Sequence, residues 1–228
     1  NTNYADNFRI ETEGKNNKEI ILPISCQIST PNTNPWYAYA MPGNYADPSG
    51  VYIEQWGGYK IPWTLYDKFD KTDKRRERIW ETWRIGNGTT FNGRTAGYKG
   101  AQPIKYGLDP AIQGTDMGTD VVIWRWADAV LLIAEAMNEV SGVNQDSYDM
   151  LKSIRTRAGL TTAAMSTFTK DSFRKALMDE RFFELWAEGV AREDYIRWGT
   201  LVSNSLANGS IFAKDELSIY LRIRVGRT

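Results

Sequence analysis

Helical periodicity is the feature that most constrains this chain, and it occupies only the second half. From Val121 to about residue 200, apolar side chains recur three and four positions apart. Asp120 stands where an N-cap is expected. Ala127, Val130, Leu131, Ala134 and Met137 share one helical face up to Ser141-Gly142. This predicts a helix from Val121 to about Val140. A second helix is predicted from Asn144 to Ala158, with Leu151, Ile154 and Ala158 inward and Gly159 at its end. A third begins near Lys170, capped by Asp171 or Ser172, and reaches Gly189. A fourth, short one covers Arg192 to Trp198 and is closed by Gly199.

The first half reads differently. Up to about residue 120 it is rich in Gly, Pro, Asn and aromatics. Lys18 to Ile24 reads as a buried strand ending near a small buried cysteine, Cys26. A lipoprotein-signal reading of that cysteine fails: the apolar run is short, Pro23 interrupts it, and acids are mixed with bases ahead of it. Ser29 to Gly58 is an irregular stretch punctuated by prolines and glycines. It carries Trp36, Tyr37, Tyr39, Tyr45, Tyr52 and Trp56, a composition wrong for disorder. Thr64 to Phe69 reads as a short helix, Arg78 to Ile85 as a strand, Asn87 to Gly100 as turns, and Pro103 to Gly118 as a loop.

Composition excludes several classes of function. The 228 residues carry 28 basic and 28 acidic side chains, so the electrostatic footprint of a nucleic-acid binder is missing. With 0 His there is no Ser-His-Asp, Cys-His or His-metal chemistry within these residues. With 1 Cys there is no disulfide framework or zinc ribbon. No apolar run approaches the roughly 20 residues of a membrane helix. The 9 Trp, 12 Tyr and 8 Phe require either a large aromatic core or faces for flat ligands.

Three charged clusters are candidates for chemistry. In the third helix Glu180 and Glu184 lie one turn apart, within about 60° of Phe173 at about 100° per residue. Such a pair can serve acid/base work. Arg181, Arg192 and Arg197 nearby would instead hold the carboxylates ionised in a structural network. The structural reading is preferred, leaving no catalytic residue. Asp109, Asp116 and Asp120 have oxygens suited to calcium but lack Asp-x-Asp-x-Asp-Gly spacing, so solvated loop acids and a helix cap are expected. No metal or cofactor is expected. Lys71, Lys74, Arg75, Arg76 and Arg78 are interleaved with Asp70, Asp73 and Glu77 and read as a solvated face.

Three stretches occur in order: IWRWADAVLLIAEAMNEV (Ile123 to Val140), LKSIRTRAGL (Leu151 to Leu160) and ALMDERFFELWAEGVAREDYIRWG (Ala176 to Gly199). Together they resemble the C-terminal part of the SusD/RagB family of Bacteroidetes nutrient-binding lipoproteins. NKEIILPI, the stretch Gly57 to Glu77, and PIKY fit that pattern more loosely. The helix pairs resemble tetratricopeptide hairpins, although the units are too few to define a repeat by periodicity. The resemblance implies a mainly α, SusD-like fold, with tetratricopeptide-like helix pairs packed against a loop-rich region with a few short strands. Residues 1–120 would be the loop-rich aromatic region, 121–200 the helical region and 201–228 an irregular tail. Family members are usually about twice this long, and their ends differ from Lys214 to Thr228 here. A C-terminal portion is therefore expected, with any lipid anchor outside this chain. Lys214 to Leu217 spell Lys-Asp-Glu-Leu, but internally, so they are no retention signal.

The resemblance further implies a non-catalytic protein at the bacterial outer-membrane surface. It would bind oligosaccharide or polysaccharide and deliver it to a TonB-dependent, SusC-like transporter, and would bind no nucleic acid. The helical motifs are scaffold in that family. Sugar rings present C–H faces to aromatics and hydroxyls to planar polar groups. Trp36, Tyr37, Tyr39, Trp56, Tyr59 and Trp63 are therefore the candidate ligand-binding residues, with Asn32, Asn34, Asn44 and Gln55 as polar neighbours. Trp124, Trp126, Trp186 and Trp198 are expected in the core. The alternatives are a glycoside hydrolase using Glu180 and Glu184, or a helical-repeat scaffold that recognises only protein.

Overall fold

The computed structural model describes residues 3–14 and 17–207. The chain end beyond them, including Lys214 to Leu217, lies outside the described residues. The fold is mainly α with a few short strands, as the sequence leads one to expect. Its elements are β1 (Ile20–Ile24), α1 (Trp36–Ala40), β2 (Ile61–Pro62), α2 (Trp63–Tyr66), β3 (Ile79–Trp80), β4 (Thr82–Arg84), β5 (Thr90–Asn92), β6 (Gly100–Pro103) and β7 (Val121–Arg125). The helices α3 (Trp126–Ser141), α4 (Gln145–Arg157), α5 (Lys170–Leu185), α6 (Ala191–Arg197) and α7 (Leu201–Ala207) follow. α7 stands where the sequence suggests the start of an irregular tail.

The strands form three small antiparallel sheets: β1 with β7, β2-β6-β3, and the β4-β5 hairpin. The expected strand Arg78 to Ile85 is broken into a 3₁₀ turn over Lys74–Arg78, then β3 and β4. The expected turn region beyond it contains β5, which closes on β4 through Trp83 and Phe91.

The main correction concerns the start of the first long helix. Val121–Arg125 is a strand, and α3 begins only at Trp126, with Arg125 at its N-cap and no side-chain cap. Val121, Val122 and Ile123 are β-branched, and the strand pairs with β1 at Val121, Val122, Trp124 and Arg125. The first helical N–H, of Trp126, donates to the Glu19 carbonyl at 2.7 Å. Asp120 instead accepts the Cys26 N–H at 2.9 Å and fixes the far end of the sheet. Trp124 and Trp126 are consequently not core: they are 56% and 57% exposed. The expected buried strand is also mostly solvent-facing, with Ile21, Leu22 and Ile24 exposed and Cys26 half-buried.

α4 and α5 follow the sequence closely at their starts. Asn144 and Ser147 form a reciprocal capping box on α4, and Gly159 follows its end at φ +82. On α5 the cap is Thr169, with Ser172 as its third-residue partner, so the cap stands two to three positions before the expected Asp171 or Ser172. α5 stops at Leu185 and does not reach Gly189. Trp186 turns to an extended conformation and buries its ring, and Ala187 follows at φ 58.

Two apolar clusters result. One joins α3, α4 and α5 through Leu131, Ala134, Leu151, Ile154, Phe173 and Leu177. The other is built mainly from the loop-rich part, with Phe8, Tyr37, Met41, Ile104 and Met117, and takes in Trp186 from the segment after α5. Trp186 is core as expected, while Trp198 is half-buried and donates to Glu135 at 2.9 Å.

Buried ions tie the two parts together. Arg75 is fully buried and does not belong to a solvated face. Asp73 caps the turn at Lys74–Arg78, accepting from the Arg75 N–H at 2.9 Å, and also holds the guanidinium at 2.7 Å. Arg75 then reaches Glu180 at 2.6 Å and Glu184 at 2.9 Å. Arg125, also fully buried, contacts Glu19 at 2.8 Å, Glu184 at 2.5 Å and Glu188 at 2.7 Å. Arg157 bridges Glu19, at 2.6 Å, and Glu184. Burial alone would raise the Glu184 carboxyl, but Arg125, Arg157 and Arg75 outweigh it and hold the group well below the usual carboxylate range. Glu19 is lowered in the same way by Arg125 and Arg157.

The stabilisation from these two carboxylates is fully present above an ordinary glutamate pKa of 4.5 and is lost as pH falls from there towards their lower native values. We expect Glu184→Gln to cost about 3–5 kcal/mol at pH 7, because it leaves buried arginines uncompensated. Urea denaturation should show this cost, together with a weaker loss of stability on acidification than in the parent chain.

Candidate functional site

The aromatic loop folds around α1. Pro35 precedes the helix, and Asn34 accepts the Trp36 N–H at 3.0 Å, fixing its entry. Residues 53–59 return alongside: the Trp56 N–H donates to the Ala38 carbonyl at 2.7 Å, and the Tyr59 N–H to the Tyr39 carbonyl at 2.8 Å. Gly57 makes the turn at φ +61, and a Cβ there would sit 3.4 Å from the Met41 carbonyl oxygen. The Lys60 ammonium closes the same turn on the Gly57 carbonyl.

These bonds bring three rings to the surface together. Tyr39 stacks on Tyr59 with centroids 4.9 Å apart at 23°, and Trp56 meets Tyr39 edge-on at 4.9 Å and 79°. They are 36%, 43% and 54% exposed in the order Tyr39, Tyr59, Trp56. Trp36 supports them from behind. Its ring lies 5.0 Å from Tyr59 and 5.6 Å from the buried Tyr106, and its indole N–H donates to the Pro103 carbonyl at 2.7 Å.

The other two candidate rings are placed elsewhere. Tyr37 is in the core, where burial pushes its hydroxyl up to about 12. Trp63 is half-buried, donates to the Tyr98 carbonyl at 2.7 Å, and carries the Arg94 guanidinium 4.3 Å above its ring. Three of the four expected polar neighbours make hydrogen bonds within the fold. Asn34 donates to the Thr119 carbonyl, Asn44 accepts from Trp83, and Gln55 donates to the Tyr45 carbonyl. Tyr52 is exposed and donates to Glu54 at 2.6 Å. A surface hollow of about 570 Å³ lies along Asp47, Ser49, Gly50 and Val51 against Leu108 and Pro110. Its only sequence signal is the Pro-Gly punctuation around residue 48.

The charged candidates are committed to structure. Glu180 and Glu184 are sealed from solvent, with one guanidinium between them. Their partners are Arg75, Arg125, Arg155 and Arg157. Of the expected arginines, Arg181 pairs with Asp128 and Asp194, Arg197 with Glu135 and Asp194, and Arg192 with Glu193 at the surface. Asp109 is buried and accepts from the Ala111 and Gly118 N–H groups at 2.8 and 2.7 Å, so it is not solvated. Asp116 accepts from Thr33 and Thr115, and Asp120 holds Cys26 and caps no helix. Among the described residues, no group of three or more His, Cys, Asp or Glu is arranged to hold a metal ion. None of the described helices is long and apolar enough to cross a membrane.

The SusD family model matches residues 18–220. The chain belongs to the SusD family. SusD-like protein P25 of Formosa agariphila is 35% identical over 83 residues, 36% of this chain and 16% of that protein. Among solved structures, a SusD homolog from Bacteroides thetaiotaomicron superposes with a TM-score of 0.73 at 20% identity, covering 93% of this chain and 47% of that one. Surface glycan-binding protein A from the same organism, in complex with laminarihexaose, superposes at 0.64 and 16% identity, covering 89% and 47%. This SusD-family chain thus spans about half the length of these solved relatives, and less of the curated one.

The platform depends on Gly57. Gly57→Val forces a β-branched residue into a left-handed turn and should cost roughly 1–2 kcal/mol or more. Thermal unfolding should register the loss. The near-ultraviolet circular dichroism of the Trp56–Tyr39 pair should weaken more than that of the whole chain.

Proposed function

We propose that the chain is the part of a surface glycan-binding protein that presents Tyr39, Trp56 and Tyr59 to an oligosaccharide. The observation that carries this reading is the ring cluster itself: three aromatics held by backbone hydrogen bonds, Tyr59 stacked on Tyr39 and Trp56 edge-on to it, and left open to solvent. Flat apolar faces with hydroxyls at their edges complement the C–H faces and hydroxyls of a pyranose chain. Asn34 uses both ends of its amide inside the fold, and Asn44 and Gln55 each use one, so in this reading stacking supplies most of the contact and little charge is involved. Membership of the SusD family supports this reading, as does a related fold that carries laminarihexaose.

In this reading the site binds without turnover. The whole protein sits at the outer-membrane surface, anchored by lipid outside these residues, and passes its ligand to a SusC-like TonB-dependent transporter. Glu180 and Glu184, enclosed and held by arginines, provide no solvent-facing acid and base.

Laminarin and a panel of other neutral polysaccharides, tested by affinity electrophoresis and calorimetry, are the direct check. Trp56→Ala and Tyr39→Ala should each weaken binding on the order of tenfold, with far-ultraviolet circular dichroism unchanged. Binding should vary little between low and high salt, since no ion pair is made. Unchanged affinity in both variants would remove the platform from the proposal.

A further inference from the structure

Two arginines of the basic run in the loop-rich part meet different fates. Arg75 is sealed inside, with Asp73, Glu180 and Glu184 around it. Arg78, three residues on, is half-buried without such partners. Its guanidinium donates only to backbone carbonyls: Nη2 to Tyr106 at 2.7 Å, and Nε and Nη2 to Lys105 at 3.4 Å. Among the described residues it makes no ion pair, and its Nη1 has no hydrogen-bond partner and is not sealed from solvent. Burial holds the Arg78 guanidinium below its ordinary value, with Arg9 acting the same way and Tyr37, Tyr4 and Glu77 opposing. A guanidinium keeps its proton in a protein, so the charge stays and is only partly offset by carbonyl dipoles.

Arg78 lines a surface hollow of about 340 Å³, together with Tyr4, Lys74, Glu77 and Arg157. That is far above the ~10–15 Å³ that seats one water. Arg157, its side chain 10% exposed, pairs with Glu19 and Glu184, while its Nε is buried with no partner among the described residues. Lys74 is exposed, and its stem runs past Gly159, where a Cβ would lie 3.3 Å from the Lys74 Cε. The Lys74 N–H donates to the Ala158 carbonyl at 3.0 Å, which anchors the base of that side chain. With Arg157 offset by its two glutamates, Lys74 and Arg78 face only Glu77, which is exposed and makes no ion pair among the described residues. The whole chain carries equal numbers of acids and bases, so this excess is local.

We propose that this hollow binds a single oxyanion group of the phosphate or sulfate type, free or as an ester, through Arg78 and Lys74 with Arg157 behind them. Guanidinium forks match such oxygens in geometry and charge. An anion here would pair a partly desolvated cation that the fold leaves uncompensated. The excess is small, which suits one group and not a polyanionic strand. The rings Tyr39, Trp56 and Tyr59 do not line the hollow, so the proposal is independent of the glycan reading.

The test is titration calorimetry of the full natural polypeptide at constant ionic strength in sodium chloride. Sodium sulfate, inorganic phosphate and glucose 6-phosphate are the probes, with glucose as the uncharged control. Heat is read in preference to thermal stability, because sulfate stabilises folded proteins in general. We expect saturable binding of at least one of the three anions. Arg78→Gln should weaken it roughly tenfold or more and Lys74→Gln about threefold, while Glu77→Gln should tighten it. Lys152→Gln, on the exposed face of α4, should leave it unchanged. The tighter of free ion and ester identifies the source of the group. Arg78 also holds two carbonyls, so circular dichroism checks each fold; the exposed Lys74 and Glu77 carry the test if Arg78→Gln does not fold. No saturable binding of any of the three anions overturns the proposal. So does binding that Lys74→Gln and Glu77→Gln leave unchanged, or that Lys152→Gln weakens as much as Lys74→Gln.

Discussion

The interaction on which the rest of this structure depends is the buried contact of Arg75, Arg125 and Arg157 with Glu184. Glu184 comes from α5, Arg157 from α4, Arg125 from the end of β7, and Arg75 from a 3₁₀ turn in the loop-rich part. Fully desolvated charges of this kind are favourable only when every partner is in place. That condition fixes four segments at once. Glu19 and Glu188 extend the network to the start of β1 and to the segment after α5. Lys105 joins it through Glu188 and the Trp186 carbonyl. The larger apolar cluster also joins the halves, through Phe69 against Phe182 and Phe183 of α5, so the charged seam and apolar packing together set how they meet.

The aromatic platform is remote from that seam in chemistry but rests on the same architecture. Trp36 leans on Tyr106, which is buried beside Phe8. The Tyr106 hydroxyl accepts the Val122 N–H at 3.1 Å from β7. A continuous line of contacts therefore runs from the strand that ends in Arg125 to the rings at the surface. Rings supported in this way lose little freedom when a ligand stacks on them, which suits a site built from few polar contacts.

Much of the helical half was legible in the sequence, because local rules govern it. Asn144 and Ser147 cap α4 in reciprocal fashion, Gly159 follows its end, and Leu151, Ile154, Phe173 and Leu177 show the 3.6-residue period of a buried face. The ordered words from Ile123 to Gly199 carried the family resemblance. The site was partly legible: aromatic density marked the loop, and Tyr39, Trp56 and Tyr59 emerged from it. Nothing local distinguishes Tyr37 from Tyr39. They lie two positions apart on a short helix, and the side on which the core lies decides which ring is buried.

The sequence by itself determined the helical periods, the turn chemistry, the neutral charge, the absence of histidine and the aromatic wealth of the first half. Only the tertiary structure decided where the partners of these residues would be. Val121–Arg125 has the apolar content of a helical first turn, yet it is a strand because β1, about a hundred residues earlier in the chain, offers its hydrogen bonds. Trp124 and Trp126 have the composition of core and stand in solvent because their strand and helix turn that side outward. Arg75 lies in a run of surface-like charges and is the most enclosed of them, because Asp73 and two glutamates more than a hundred residues later surround it. Periodicity and capping are short-range and are written in neighbouring residues. Strand pairing and charge burial are long-range, and their energies depend on atoms that only the folded chain brings within reach.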